Sequence, residues 1–276
     1  MNKLLSIAFV LLYIGIGFSQ NDSADTMEVK WIEKAVFPIE ENDHWYIDGL
    51  GNRYISRGNT INKYSENDEL LFSQSVKSIG QTSDLIMQST LKLIHFSEEQ
   101  QTLCYFDNTL SFLDDCVDLS SENIVNASLV SASFQPNKIW VLDNVNSTLN
   151  LLSLDRLQQK QQVLNLKGIL ELEEISKMVE KDNRLYLLDR TKGIYVFDIY
   201  GSLIEFFEGK SIQQFTVIDK TLFTLQEGGL KIFSLEVDQG YTVKLPLESV
   251  LDIRYINQFF YISTKSNVHK FDFRFL

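Results

Sequence analysis

The sequence predicts an all-β fold, a six-bladed β-propeller closed by an amino-terminal strand that completes the last blade. Three observations carry this. A strand pattern (apolar residue, two variable residues, aromatic or Leu, then Ser or Asp) recurs at 61–65, 103–107, 149–153, 194–198, 230–234 and 268–272. Its fourth positions, Tyr64, Phe106, Leu152, Phe197, Phe233 and Phe271, are 42, 46, 45, 36 and 38 residues apart. A strand-built period near 40 is the mark of a propeller. The last copy has no strand after it, while 29–37 reads as a strand that belongs to no other unit.

Each unit is read as four strands. An inner strand is predicted at 45–48, 84–88, 129–134, 175–179, 214–218 and 251–255. A second strand, rich in aromatic and branched residues, follows at 53–56, 91–96, 139–143, 185–189, 222–225 and 260–263. In four units the aromatic residue of the second strand precedes the motif aromatic by ten residues, as in Tyr54 to Tyr64 and Tyr261 to Phe271. That spacing fits two antiparallel strands joined by a tight turn. The motif is the third strand. Outer strands are predicted at 70–73, 116–119, 163–166, 203–207 and 241–245. The sixth outer strand is expected from 29–37, which would close the ring with hydrogen bonds and remove two open edges. The segment 169–179 has apolar residues at helical spacing. It is read as a loop leading into an inner strand, with a short helix as the alternative.

The chain opens on an export signal. Lys3 precedes an apolar run from Leu4 to Ile14, and the small residues Gly17 and Ser19 place cleavage before Gln20. The expected organisation is a signal peptide over 1–19, a flexible polar leader over 20–27 and one propeller domain over 28–276. The apolar stretch is shorter than the ~20 residues of a spanning helix. No Cys lies near the cut to take a lipid, the first being Cys104. The expected location is periplasmic or extracellular. The formal charge of −12 falls to −13 without residues 1–19. Such a charge repels phosphate backbones and anionic lipid heads, so nucleic acid and membrane surfaces are not expected partners.

The segment Asp48-Gly-Leu-Gly-Asn52-Arg-Tyr54-Ile55, followed by Ile61-Asn-Lys-Tyr64-Ser65, resembles one unit of an NHL-type or TolB-like six-bladed propeller. The later units keep the strands and lose the Gly-Asn turn. The stretches 91–119 and 184–203 are similar to a family of uncharacterised exported propellers of Gram-negative, Bacteroidota-type bacteria. The resemblance implies a fold and a compartment and no activity.

Chemistry is sparse. His44, His95 and His269 fall in different units, without the spacing of a zinc site, and neither a metal nor a cofactor is expected. There is no Gly-x-Ser-x-Gly turn and no phosphate-cradling glycine loop. Asp107, Asp143, Asp189, Asp198 and Asp272 recur at strand ends, where an Asp side chain satisfies turn amides. Cys104 and Cys116 sit on neighbouring strands of one unit. A hairpin centred near residue 109 sets Cys104 opposite about residue 114, so a disulfide needs a register shift, and two separate thiols are the alternative. Propeller ligands sit at the ring axis, which points to the turns after the second strands: Arg57, Asp143, Arg190, Glu227 and Lys265. The expected function is a non-enzymatic binding or scaffolding module of the cell envelope, a monomer with a protein or peptide partner. The alternative is a propeller enzyme, a lyase or a glycan or lactone hydrolase, with its site at the channel mouth.

Overall fold

The computed structural model describes residues 25–89, 91–113, 116–153, 160–227, 229–235 and 240–275. The expected signal peptide and residues 20–24 of the leader lie outside them. Six antiparallel sheets form a ring of six blades. Blade 1 runs from His44–Ile47 through Arg53–Arg57 and Thr60–Tyr64 to Leu70–Ser75, each strand bonded to the next. Blades 2 to 5 repeat the order from inner strands Asp84–Ser89, Ala127–Ala132, Ile175–Lys181 and Gln214–Ile218. In blade 6 the order is Asp252–Ile256, Phe259–Ser263, Asn267–Phe275, and then Val29–Pro38 as the outer strand. That last pairing is antiparallel, with Val29 opposite Phe275 and Pro38 opposite Asn267. The ring therefore closes through the amino-terminal strand.

The core is radial. Six apolar clusters each join two neighbouring blades, and together they run round the ring. Blade 3 shows the cause. In its second strand, Lys138–Asp143, Trp140 and Leu142 point into the cluster shared with blade 4, while Ile139 and Val141 point into the one shared with blade 2. Successive side chains of a strand alternate between faces, and here both faces are covered. The second strands therefore read as continuous apolar runs rather than alternating ones. Polar latches cross the same interfaces. Glu180 of blade 4 accepts from Trp140 Nε1, from Ser133 Oγ at 2.7 Å and from Phe134 N at 3.0 Å, all in or beside blade 3.

Several boundaries differ from the sequence reading. The inner strand of blade 3 begins at Ala127, two residues early, and its outer strand is Lys160–Val163 rather than 163–166. Leu166 is instead buried in the cluster between blades 3 and 4, inside a short 3-10 turn, Leu166–Gly168. A second 3-10 turn, Leu172–Glu174, leads into the inner strand of blade 4. The connection thus combines the loop and the helical alternative. Asp25–Thr26, at the end of the expected leader, pairs in parallel with Tyr241–Thr242 as a fifth strand on blade 5. Among the described residues no helix is long and apolar enough to cross a membrane.

Cys104 and Cys116 are joined by a disulfide. Phe106 bridges Phe112, but Val117 pairs with Leu103. The register therefore moves by two residues between these pairs and brings Cys116 opposite Cys104. Counting from an ideal hairpin could not show this shift.

Candidate functional site

Inner strands alternate between the blade interfaces and the axis. Trp45, Leu85, Met178, Phe215 and Ile253 enter the apolar clusters or the core. The residues between them, His44, Tyr46, Asp84, Lys177, Gln214, Asp252 and Arg254, are of intermediate exposure. The contact of Lys177 with Asp252 places this side of the inner strands on the axis, because it joins blades that are not neighbours. Lys177 Nζ of blade 4 lies 3.6 Å from Asp252 Oδ1 of blade 6. It also donates to Gln214 Oε1 and Phe215 O of blade 5, both at 2.9 Å. Arg254 Nε donates to Asp252 Oδ2 at 2.7 Å. The Arg254 guanidinium stacks 4.0 Å from the Trp45 ring centre and donates to Trp45 O of blade 1 at 2.5 Å. Asp84 of blade 2 faces this group and accepts from its neighbour Leu85 N at 2.8 Å.

The electrostatics separate the two axial carboxylates. Burial pushes Asp84 up to about 6, with Asp252 adding to the rise and Arg254 and Lys177 opposing it. Burial acts on Asp252 in the same direction, but Arg254 and Lys177 outweigh it and hold this carboxyl below its ordinary value. Burial lowers Lys177 despite Asp252. It also works against Arg254, which Asp252 nonetheless holds above its ordinary range. The axis thus holds two cations, Lys177 and Arg254, on either side of Asp252, and Asp84 is the second carboxyl that balances them when ionised.

The five turn residues lie elsewhere. The turns after the second strands share one face with the connections between blades, as Leu166 N to Ser147 O and Ser211 N to Arg190 O show, each at 3.2 Å. On that face Arg57 is exposed and pairs with Asp43 and Glu40, at 2.6 and 3.0 Å. Lys265 pairs with Glu41 at 3.1 Å. Both arginine and lysine thus reach the same connection between blades 6 and 1. Arg190 and Glu227 are exposed. Asp143 is fully buried. Its carboxylate accepts from the backbone N–H groups of Val125, Asn126, Val145 and Asn146, at 2.8, 3.3, 3.0 and 3.0 Å, and from Asn146 Nδ2 at 2.9 Å. Asp107, Asp189 and Asp198 bond turn amides in the same way. Asp272 departs from the pattern and pairs with Arg274, because no turn follows it.

Asp143 is therefore structural. Asp143→Ala should cost about 3 kcal/mol in urea unfolding, since it removes five part-buried hydrogen bonds at once, and Asp143→Asn should recover part of the loss. A change within ~0.5 kcal/mol would show that the amides find other partners.

Beside the Asp143 turn lies a depression of about 870 Å3, lined by Asn126, Asn144, Val145, Lys167 and the segment from Leu170 to Glu174. Among the described residues no group of three or more His, Cys, Asp or Glu side chains is placed to hold a metal ion.

No known family and no curated protein matches the sequence. Solved structures do match the fold. An inactive virginiamycin B lyase from Staphylococcus aureus, solved with quinupristin, superposes with a TM-score of 0.63 at 9% identity, over 86% of this chain and 81% of that one. A protein of unknown function from Bacteroides thetaiotaomicron gives 0.59 at 13% identity, over 91% and 74%. The amino-terminal part of BBS1, in complex with ARL6, gives 0.59 at 12% identity, over 91% and 92%. At these identities the likeness establishes the six-bladed propeller and nothing finer.

Proposed function

We propose that this chain is an exported, non-enzymatic propeller that serves the cell envelope as a binding or scaffolding module, with a protein or peptide partner. The observation that carries the reading is the division of polar groups between two places. The axial charges are occupied with one another across blades, whereas the turn face offers a depression of about 870 Å3 with amides and carboxylates at its wall. A structure similar in fold, that of BBS1, is solved in complex with ARL6. Export is supported by the opening segment and by the Cys104–Cys116 bond, which suits an oxidising compartment. The expected compartment also agrees with the resemblance to exported Bacteroidota-type propellers.

A second reading rests on Asp84. A carboxyl held near 6 beside one held low is the arrangement of an acid–base pair, and the solved neighbours include a lyase. Against it, Asp252 is engaged by Lys177 and Arg254 and is a poor base. One experiment separates the two readings. Wild type and a Glu171→Lys/Glu173→Lys variant are used as bait on envelope extract. A partner retained by the first and lost by the second supports the binding module. Turnover of pooled glycans or lactones by wild type, with or without divalent metals, that disappears in Asp84→Asn would replace it with the enzyme.

A further inference from the structure

The outer edges of the six blades are not alike, and one of them lacks every usual protection. An outer strand presents unpaired N–H and C=O groups, a template for another strand that natural edges blunt with charge, Pro, brevity or a cover. Blade 2 ends in a two-residue strand, Val117–Asp118. Blade 3 ends in Lys160–Val163, a strand of four residues. Blade 4 carries Glu205 and Glu208 in its edge strand. Blade 5 is covered by Asp25–Thr26. Blade 6 carries Lys30, Glu33, Lys34 and Pro38. Blade 1 ends in Leu70–Ser75, six residues with no charge and no Pro, and among the described residues nothing pairs with its outer side. Its Leu70, Leu71 and Phe72 are 58%, 41% and 40% exposed. That blade 5 already holds a fifth strand shows that an edge of this ring accepts one.

We infer that the Leu70–Ser75 edge pairs antiparallel with the same edge of a second copy of this chain, joining two first blades into one eight-stranded sheet. The charges at the strand ends select this occupant. Glu69 precedes the strand and Lys77 follows it. With Ser73 on the two-fold axis, Glu69 of each copy comes opposite Lys77 of the other, and Leu71 and Phe72 come opposite Ser75 and Gln74. A two-fold contact of this kind is isologous and closes at two copies. It goes beyond the partner-binding reading above, replaces the expected monomer with a dimer, and uses the rim rather than the turn face.

Sedimentation velocity of the purified, oxidised protein over a concentration series tests it. Wild type is expected to convert from monomer to dimer below about 100 µM. Phe72→Asp is expected to stay monomeric with an unchanged thermal midpoint. Lys77→Glu should weaken the dimer about tenfold or more, and Glu69→Lys/Lys77→Glu should restore it, because the swap recreates the opposite charges. Wild type that stays monomeric throughout, a dimer untouched by Phe72→Asp, or a double variant no tighter than Lys77→Glu alone would overturn the inference.

Discussion

Removal of residues 28–38 is expected to abolish cooperative unfolding rather than lower its midpoint. They include the fourth strand of blade 6, Val29–Pro38, which pairs with Asn267–Phe275 from end to end apart from a register shift between Glu33 and Ala35. They also carry side chains on which two interfaces depend. Trp31 packs against Phe260, Phe271 and Phe273, with ring centres 5.4, 5.8 and 4.7 Å apart, and its Nε1 donates to Lys244 O beside blade 5. Phe37 is buried in the cluster between blades 6 and 1 and packs against Trp45. The deletion therefore exposes two of six blade interfaces and a new sheet edge. The loss exceeds the ~5–15 kcal/mol that holds a typical domain folded. Trp31→Ala, which keeps the ladder, should cost about 3 kcal/mol and leave the transition cooperative. A shortened protein that melts like its parent would show that the ring holds without its latch.

The second large effect is a pair of opposed acid responses. His95 is fully buried in the second strand of blade 2, and neither ring nitrogen has a hydrogen-bond partner. Burial, with a smaller contribution from His44, lowers it to about 4 from an ordinary 6.5. The unfolded chain thus takes up the proton first, and stability falls as pH drops from 6.5 towards 4, by about 3 kcal/mol. His44, also lowered by burial, adds to the same slope. Asp84 acts in the other direction. Its folded carboxyl binds a proton near 6 and its unfolded one only near 3.8, so stability rises as pH falls through that window, again by about 3 kcal/mol. In wild type the two slopes nearly cancel between pH 6 and 4. Asp84→Asn should expose the loss and make the protein acid-labile by about 3 kcal/mol. His95→Leu should expose the gain, leaving a protein more stable at pH 4 than at pH 7. Urea midpoints of the three proteins at pH 4, 5, 6 and 7 measure this, and parallel curves would refute both assignments.

Much of the fold was legible because a blade is a local object. Four strands, three turns and a period near 40 lie within one stretch of chain, and aromatic runs such as 139–143 mark a strand buried on both faces. Boundaries failed where a tertiary contact outbid the local pattern. Leu166 leaves the predicted outer strand of blade 3 to fill the interface with blade 4. The cysteine pairing stayed open because a two-residue register shift has no composition signal.

The axial cluster was legible in part. Asp84, Lys177, Gln214, Asp252 and Arg254 all fall in strands predicted as inner ones, and each alternates with a buried apolar neighbour. Alternation says that such residues face away from the blade interface. It does not say which of them meet, since Lys177 and Asp252 are 75 positions apart and in blades that are not adjacent in the ring.

The residues alone determined the repeating unit, its strand order, the need for a borrowed last strand and the absence of a familiar catalytic motif. The ring decided what lies at its centre and at its rim: a neutralised set of charges drawn from alternate blades, and, among the described residues, one bare edge. Pattern within a strand depends on neighbours a few positions away, while charge compensation across an axis depends on closing the circle.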